Sequence, residues 1–277
     1  MSTKLRRCLV RAATYLILVA GAAFILLPFV WMILTSLKPS AEVLLMPPKW
    51  LPSRIQWENY VEAFESAPFL RYFCNSVIVT VLITTGELIT TILAAFAFSQ
   101  LRFRGREVLF LLLVATMMVP GEILVIPNFV TLAKLGWVDT YKALALPWCA
   151  SVFSIFLLRQ QFSSIPEDFH KAARVDGCKD LRYLFTVLVP MSRPTVVSIA
   201  LLKIINSWNS YLWPLIATNT NDMRTLPVGL AFFSTEAGVK YNTLMAFSLM
   251  IILPTLVVYL FTQKYIIRGV SNTGLKG

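Results

Sequence analysis

Hydrophobic residues in this chain come in long runs, and polar residues collect between them. Six runs, at about 12–36, 75–99, 108–126, 143–158, 195–216 and 243–263, have the length a helix rising 1.5 Å per residue needs to cross a hydrocarbon core of about 30 Å. The period-2 alternation of a membrane barrel is missing, and helices satisfy their backbone internally. The pattern therefore predicts an all-α membrane protein with six transmembrane helices, forming one domain over residues 1–277.

Composition excludes an ordinary soluble domain: 57% of residues are hydrophobic, 14% are charged, and the mean hydropathy is +0.70. The net charge of +11 reports topology rather than nucleic-acid binding. Segments 1–11, 100–107, 159–194 and 264–277 hold 16 of the 25 Lys and Arg against 5 acidic residues, while the other three connections are nearly balanced. By the positive-inside rule the first set, both termini included, faces the cytoplasm. Lys4, Arg6 and Arg7 could also begin a secretory signal, but the run that follows is longer than a signal core and reads as the first span.

The chain lacks the residues of most chemistries. Cys8, Cys74, Cys149 and Cys178 are scattered with no CxxC, and the single histidine, His170, excludes HExxH and His-rich metal sites. No GxxxxGKS/T phosphate loop occurs, so if transport uses ATP another polypeptide binds it.

The main polar interruption runs from Pro166 to Pro194. Pro166 suits a helix start, and Glu167 and Asp168 place negative charge at the positive end of the helix dipole. A short helix should run to about Val175, with Phe169, Ala172, Ala173 and Val175 as apolar or small positions; Asp176-Gly177 reads as stop and turn. A second amphipathic stretch, with Leu181, Leu184 and Phe185 expected to face inward, leads to Pro190 and Pro194. Spacing alone also fits an amphipathic loop lying on the bilayer surface.

KAARVDG, followed by an apolar run and LVPMSRP, resembles the EAA loop (EAAxxDG with a downstream LP) of permease subunits from bacterial ABC importers. NSVIVTV, LAAFAFSQLRFRGRE, MMVPGEILVIPNF, LGWVDTY, WNSYLWPL and RGVSNTGLKG extend the likeness, in order, to carbohydrate-uptake permeases of the maltose and glycerol-phosphate type. The resemblance implies a non-catalytic permease half that pairs with a second, non-identical permease, two cytoplasmic ABC ATPase subunits and an extracytoplasmic solute-binding protein. It implies no cofactor on this chain; ATP and Mg would sit on the ATPases. Carried over residue by residue, Ala172, Ala173, Asp176 and Gly177, with Phe169 and Lys171 beside them, would couple the spans to an ATPase cleft. Lys171 stands where the family usually has Glu, and Cys178 where it usually has Ala.

Ionisable residues within spans are costly and so are candidates for function. Glu87 fits a pathway or gate residue, or an interhelical hydrogen bond to the partner permease; Lys203 fits a side chain reaching an interface or pairing with a neighbour. The run Asn206, Ser207, Trp208, Asn209, Ser210, Tyr211 is too polar for lipid. Asn206, Trp208, Asn209 and Tyr211 are therefore candidates for a sugar pathway, with helix packing the alternative and Trp213 an interface anchor.

Residues 217–242 resemble the external loop that related permeases push toward the binding protein. Trp57, Tyr60, Val61 and Phe64 have the spacing of an amphipathic surface helix, and the tail 268–277 resembles family tails that reach between the ATPases. Two rivals from other classes stand beside this reading: a stand-alone proton-coupled carrier using Glu87, and a membrane-anchored assembly component. No internal repeat supports the carrier, and co-purification separates all three. The cargo is open among oligosaccharide, disaccharide and glycerol-phosphate classes, with few basic residues in the spans favouring a neutral sugar.

Overall fold

The computed structural model describes residues 3–235 and 238–271, with side-chain surroundings defined over 11–231, 233 and 239–260. In chain order its α-helices are α1 (Thr3–Ser36), α2 (Ser40–Val43), α3 (Glu58–Glu65), α4 (Phe69–Gln100), α5 (Arg106–Ala115), α6 (Val125–Lys134), α7 (Tyr141–Ala145), α8 (Val152–Ser163), α9 (Glu167–Val175), α10 (Asp180–Tyr183), α11 (Val189–Met191), α12 (Arg193–Trp208), α13 (Leu212–Ala217) and α14 (Tyr241–Ser271). Strands occur, among the described residues, as one antiparallel pair, β1 (Ser234–Thr235) with β2 (Gly238–Val239). The predicted tail beyond Ser271, the residues Glu236 and Ala237, and the side chains of the N-terminal basic cluster lie outside the described residues.

Three helices are long and apolar enough to cross a membrane unaided: α1 from Arg11, α4, and α14 over Tyr241–Leu260. Three more candidates are bent pairs: Arg106–Met118 with Gly121–Lys134 at 91°, Tyr141–Trp148 with Val152–Ser163 at 44°, and Asp180–Met191 with Arg193–Trp208 at 81°. The molecule is thus an all-helical membrane protein with three to six candidate spans.

Three expected runs are interrupted; within 143–158 the helical turns ending at Trp148 resume only at Val152. Within 108–126 the helix ends at Met118 and Val119 is extended (φ −87°, ψ 116°), as steric clash with the Pro120 ring favours. Within 195–216, α12 stops at Trp208 and α13 begins only at Leu212. Hydropathy counts apolar residues and does not register where the backbone turns. The stretch after α9 also differs from expectation. Its buried side chains are Tyr183, Leu184 and Leu188, whereas Leu181 and Phe185 are exposed, and residues Leu184–Leu188 form a π-helical turn.

The contacts divide the chain into two compact units, 1–68 with 230–253, and 69–229 with 254–277. In the first, the apolar surface of α1 is exposed, and the predicted apolar face of α3 (Trp57, Val61, Phe64) is exposed as well. Here α3 is fixed by its polar side: buried Asn59 donates to the carbonyls of Ser36 (2.8 Å) and Lys38 (2.9 Å) and accepts from Asn242 (2.8 Å). Buried Lys38 lies 4.1 Å over the Trp31 ring and donates to the Lys49 carbonyl.

The second unit is built around α4, which packs against α8 and α12. Its buried face runs Ser76, Val79, Thr80, Ile83, Thr84, Glu87, Thr91, Ala95, a stripe at helical spacing that is more polar than a lipid-facing helix tolerates. Gly86 allows the close approach: a Cβ there would lie 2.5 Å from Cys149 Sγ. Thr90 Oγ1 donates to the Cys149 carbonyl at 2.7 Å. Two apolar clusters flank this spine. One gathers Val79, Ile83, Leu132, Leu144, Trp213 and Ala217; the other gathers Ala95, Phe96, Leu158, Phe162, Tyr183, Leu184, Leu188 and Ile199.

Candidate functional site

The interruption singled out in the sequence forms α9, nine residues from Glu167 to Val175, with both acidic residues in its first turn and Arg174 in its last. The helix ends at Asp176, and Gly177 adopts a left-handed conformation (φ +72°) that a Cβ would strain. One side of α9 is anchored. Ala173 and Cys178 pack against the second apolar cluster, the His170 ring stacks on Tyr183 (4.7 Å between centroids, 16° between planes), and His170 Nε2 lies 3.5 Å from an Asp180 carboxylate oxygen. The other side is open: Phe169, Ala172, Val175, Asp176 and Gly177 are exposed, Val175 almost fully. An exposed Phe and Val flanking Ala172, whose small side chain leaves backbone accessible, make a short ridge suited to a cleft.

Lys171 is exposed and sits 3.4 Å from Asp168 and 3.9 Å from Glu167 on its own helix. Such exposed pairs contribute little, so the cation is available to a partner. Beside the helix, a groove of about 990 Å³ is lined by Arg102, Arg106, Glu167, His170, Arg174 and Asp180 among others, and Arg102 pairs with Glu167 at 3.4 Å.

At the other end of α4 lies a smaller cavity of about 280 Å³, lined by Ser76, Val79 and Ile83 of α4, Leu144 and Trp148, Lys203, Asn206, Ser207 and Ser210 near the end of α12, Trp213 and Pro214 of α13, and Thr225. Trp148 and Trp213 meet edge to face at 5.8 Å, and Trp213 Nε1 donates to the Ala143 carbonyl at 3.0 Å. Of the five pathway residues expected from the sequence, only Asn206 lines this cavity. Trp208 is buried against Phe73 (5.7 Å) and Asn209 Nδ2 donates to the Ile205 carbonyl of its own helix (2.9 Å), while Tyr211 is exposed. Trp148, Ser76 and Thr225, which were not among the pathway candidates, come from three separated segments; the polar stripe on α4 was the signal that could have found Ser76.

Glu87 is 2% exposed and lies between the two ends. Its Oε2 is 2.6 Å from Lys203 Nζ and its Oε1 accepts from Ser154 Oγ at 2.6 Å, so α4, α8 and α12 are tied by one polar cluster inside this chain.

On the side of the cavity where residues 219–225 run, Asp139 sits in the left-handed region (φ +63°) and its carboxylate accepts from the backbone of Asn219 (2.9 Å) and Thr220 (3.1 Å) and from Thr220 Oγ1 (2.7 Å). Burial pushes this carboxyl up, but those hydrogen bonds outweigh it and hold it below the usual carboxylate value. Asn75 donates to the carbonyls of Asp222 (2.8 Å) and Arg224 (2.9 Å) and accepts from Tyr141 (2.7 Å). The base of the expected external loop is therefore pinned to α4 and to the Asp139 turn. Among the described residues no cluster of three or more His, Cys, Asp or Glu could hold a metal ion.

The family model for the binding-protein-dependent transport system inner membrane component matches residues 87–271, which include Glu87, α9 and α12. The chain belongs to this family. It is a non-catalytic permease component of an ABC transporter, a multi-pass chain of the inner membrane. It is 35% identical over 268 residues to the arabinooligosaccharides transport system permease protein AraQ of Halalkalibacterium halodurans, covering 94% of this chain and 96% of that one. It is 30% identical over 268 residues to the sn-glycerol-3-phosphate transport system permease protein UgpE of Rhizobium meliloti, covering 94% and 95%. Among solved structures, a chain of a bacterial ABC transporter involved in the import of the acidic polysaccharide alginate superimposes with a TM-score of 0.84 at 27% identity, over 96% of this permease and 98% of that chain. A second chain, from an alginate transporter in complex with a periplasmic protein carrying alginate pentasaccharide, shares the fold at TM-score 0.67 and 14% identity, over 92% and 93% of the two chains.

Proposed function

We infer that this permease is half of the translocation path of a carbohydrate importer, driven by ATP through α9. In this reading the chain is one six-span domain with cytoplasmic termini, and residues 159–194 form the cytoplasmic coupling loop. It pairs with a second, non-identical permease, and two ABC ATPases and an extracytoplasmic binding protein complete the assembly. Phe169, Lys171, Ala172, Asp176 and Gly177 seat in an ATPase cleft, and Ala173 holds the helix to the core. Similarity to an arabinooligosaccharide permease over nearly the whole chain supports a sugar as cargo.

The single observation that carries the reading is α9: a short helix anchored along one side, with an exposed apolar ridge on the other, ended by a left-handed Gly177, in a chain of this permease family. ATP closes the paired ATPases, the seated helix moves with its cleft, and the 81° bend at Ser192, between Pro190 and Pro194, carries that motion into α12. ATP acts by binding one state better than the other.

The test is Gly177→Val. A β-branched residue at positive φ costs on the order of 2 kcal/mol locally and misplaces the ridge. Uptake by the reconstituted importer should fall at least about tenfold, with the chain still membrane-inserted and its ATPases no longer stimulated by the loaded binding protein. Full uptake by this variant, or purification without an ATPase pair and a second permease, would sink the reading.

A further inference from the structure

We propose that Arg159 is the positioning residue that makes α5 follow the movement of α9, a second route beside the bend into α12. The proposal rests on the importer reading above and deepens it. In the sequence Arg159 counts only as one of several basic residues on its side.

Place comes first. Arg159 lies on α8, and three residues, Ser164 to Pro166, separate that helix from α9. Its guanidinium touches two other helices at once. Nη2 is 3.1 Å from Glu107 Oε2 and 3.5 Å from Oε1, Nε donates to the Phe98 carbonyl at 3.4 Å, and the central carbon lies 4.1 Å over the Phe110 ring.

The electrostatics suit both helix ends. Phe98 is in the last turn of α4, where carbonyls have no donor from their own helix and the dipole is negative; Glu107 is in the first turn of α5, at the positive end of that dipole. One cation therefore joins the end of α4 to the acid that opens α5. Beneath it an aromatic group links the same helices: Phe110, 8% exposed, stacks with Phe156 of α8 (6.3 Å between centroids, 10° between planes) and meets Phe98 of α4 at 5.5 Å.

Other polar links cross this region, and exposure decides between them. Arg102 pairs with Glu167 at 3.4 Å, but 89% and 60% of the two side chains are exposed, and such pairs contribute little. Gln100 donates to the Phe162 carbonyl at 3.4 Å, a long neutral bond. The Arg159 side chain is only 18% exposed, so water screens its contacts less. Glu107 is 63% exposed and also pairs with Arg106 at 2.9 Å, so the ion pair is one of three contacts and not the whole link. Apolar packing already ties α4 to α8, through Ala95 and Phe96 with Leu158 and Phe162. It is α5, joined to α8 at Phe156 and at this guanidinium, whose movement the arginine governs.

The test uses the intact importer, both permeases with both ATPases and the binding protein, in lipid nanodiscs, and amide hydrogen exchange with and without ATP, Mg and orthovanadate. In the parent complex nucleotide trapping should change exchange in residues 164–177 and, with it, in residues 101–110. Arg159→Met keeps a side chain of similar reach and removes the cation. It should shrink the change in 101–110 about threefold or more while that in 164–177 persists, and Arg159→Lys should recover most of the loss. A side chain that only stabilised the fold would raise exchange in the resting complex and leave the nucleotide-dependent change alone. Should Arg159→Met fail to assemble, Glu107→Gln, at a largely exposed position, should shrink the same change about twofold.

Three results would overturn the proposal: residues 101–110 ignore the nucleotide in the parent while 164–177 respond, the variants leave the change in 101–110 intact, or Arg159→Met abolishes both changes together. The importer reading fails on a different result, a parent complex in which residues 164–177 themselves do not respond.

Discussion

The two ends of α4 meet different kinds of site. At one end α9 gathers its features from eleven consecutive residues, Glu167 to Gly177, and presents them outward. At the other, the cavity is assembled from segments reaching from Ser76 to Thr225. The first is contiguous in sequence and exposed; the second draws on segments far apart in the chain. The Glu87–Lys203 pair stands between the two.

That contrast is most exposed to Lys203→Met. Removing one partner of a buried ion pair leaves the other charge uncompensated, which costs about 3–5 kcal/mol. The purified complex should lose thermal stability, hydrogen exchange should rise around the cavity more than in α9, and Glu87→Gln added to Lys203→Met should recover most of the loss. Equal exchange at both ends would mean the two sites are one cooperative unit.

A smaller effect is expected from Asp139→Ala, which removes three hydrogen bonds to a charged acceptor and should loosen residues 219–220 by about 1–2 kcal/mol. Because the folded carboxyl titrates below its ordinary value, the tether is at full strength above the ordinary carboxylate range and is lost as pH falls through the depressed folded value. The protection of the Asn219 and Thr220 amides, taken relative to their intrinsic exchange rates, should fall only on the acid side. Protection independent of pH would detach this carboxylate from the loop.

The smallest effect separates neighbours. Asn209→Ala removes a bond within its own helix and should leave uptake within about twofold, whereas Asn206→Ala, at the cavity, should reduce it by about threefold or more. The reverse order would move the pathway to the other face of α12.

Much of the α9 end was legible in the sequence. Pro166, the two acids and Asp176-Gly177 act on their own backbone within a few residues, so helix start, stop and turn follow from local chemistry. Less of the cavity was legible. The polar run 206–211 borders the cavity through Asn206, Ser207 and Ser210, but α12 ends inside it, and the helix end sends Trp208 to Phe73 and Asn209 to its own carbonyl. The hydroxyl stripe from Ser76 to Thr91 was readable at helical spacing and was masked by the apolar average around it. Leu181 and Phe185 were misassigned because the stretch packs Tyr183, Leu184 and Leu188 against Phe96, Leu158 and Phe162, and partners that distant are not visible in the local pattern.

By itself the chain determined its solvent and its punctuation. A high apolar content in runs of spanning length compels helices in a membrane, because hydrocarbon offers the backbone no hydrogen bonds, and prolines and glycines set local stops through sterics. The tertiary structure decided which distant groups meet. Lys203 found Glu87, Asp139 found Thr220, and Trp148, Ser207 and Thr225 came to surround one void. Those pairings depend on helix packing angles and breaks, and these follow from the sum of many weak contacts that no segment carries alone.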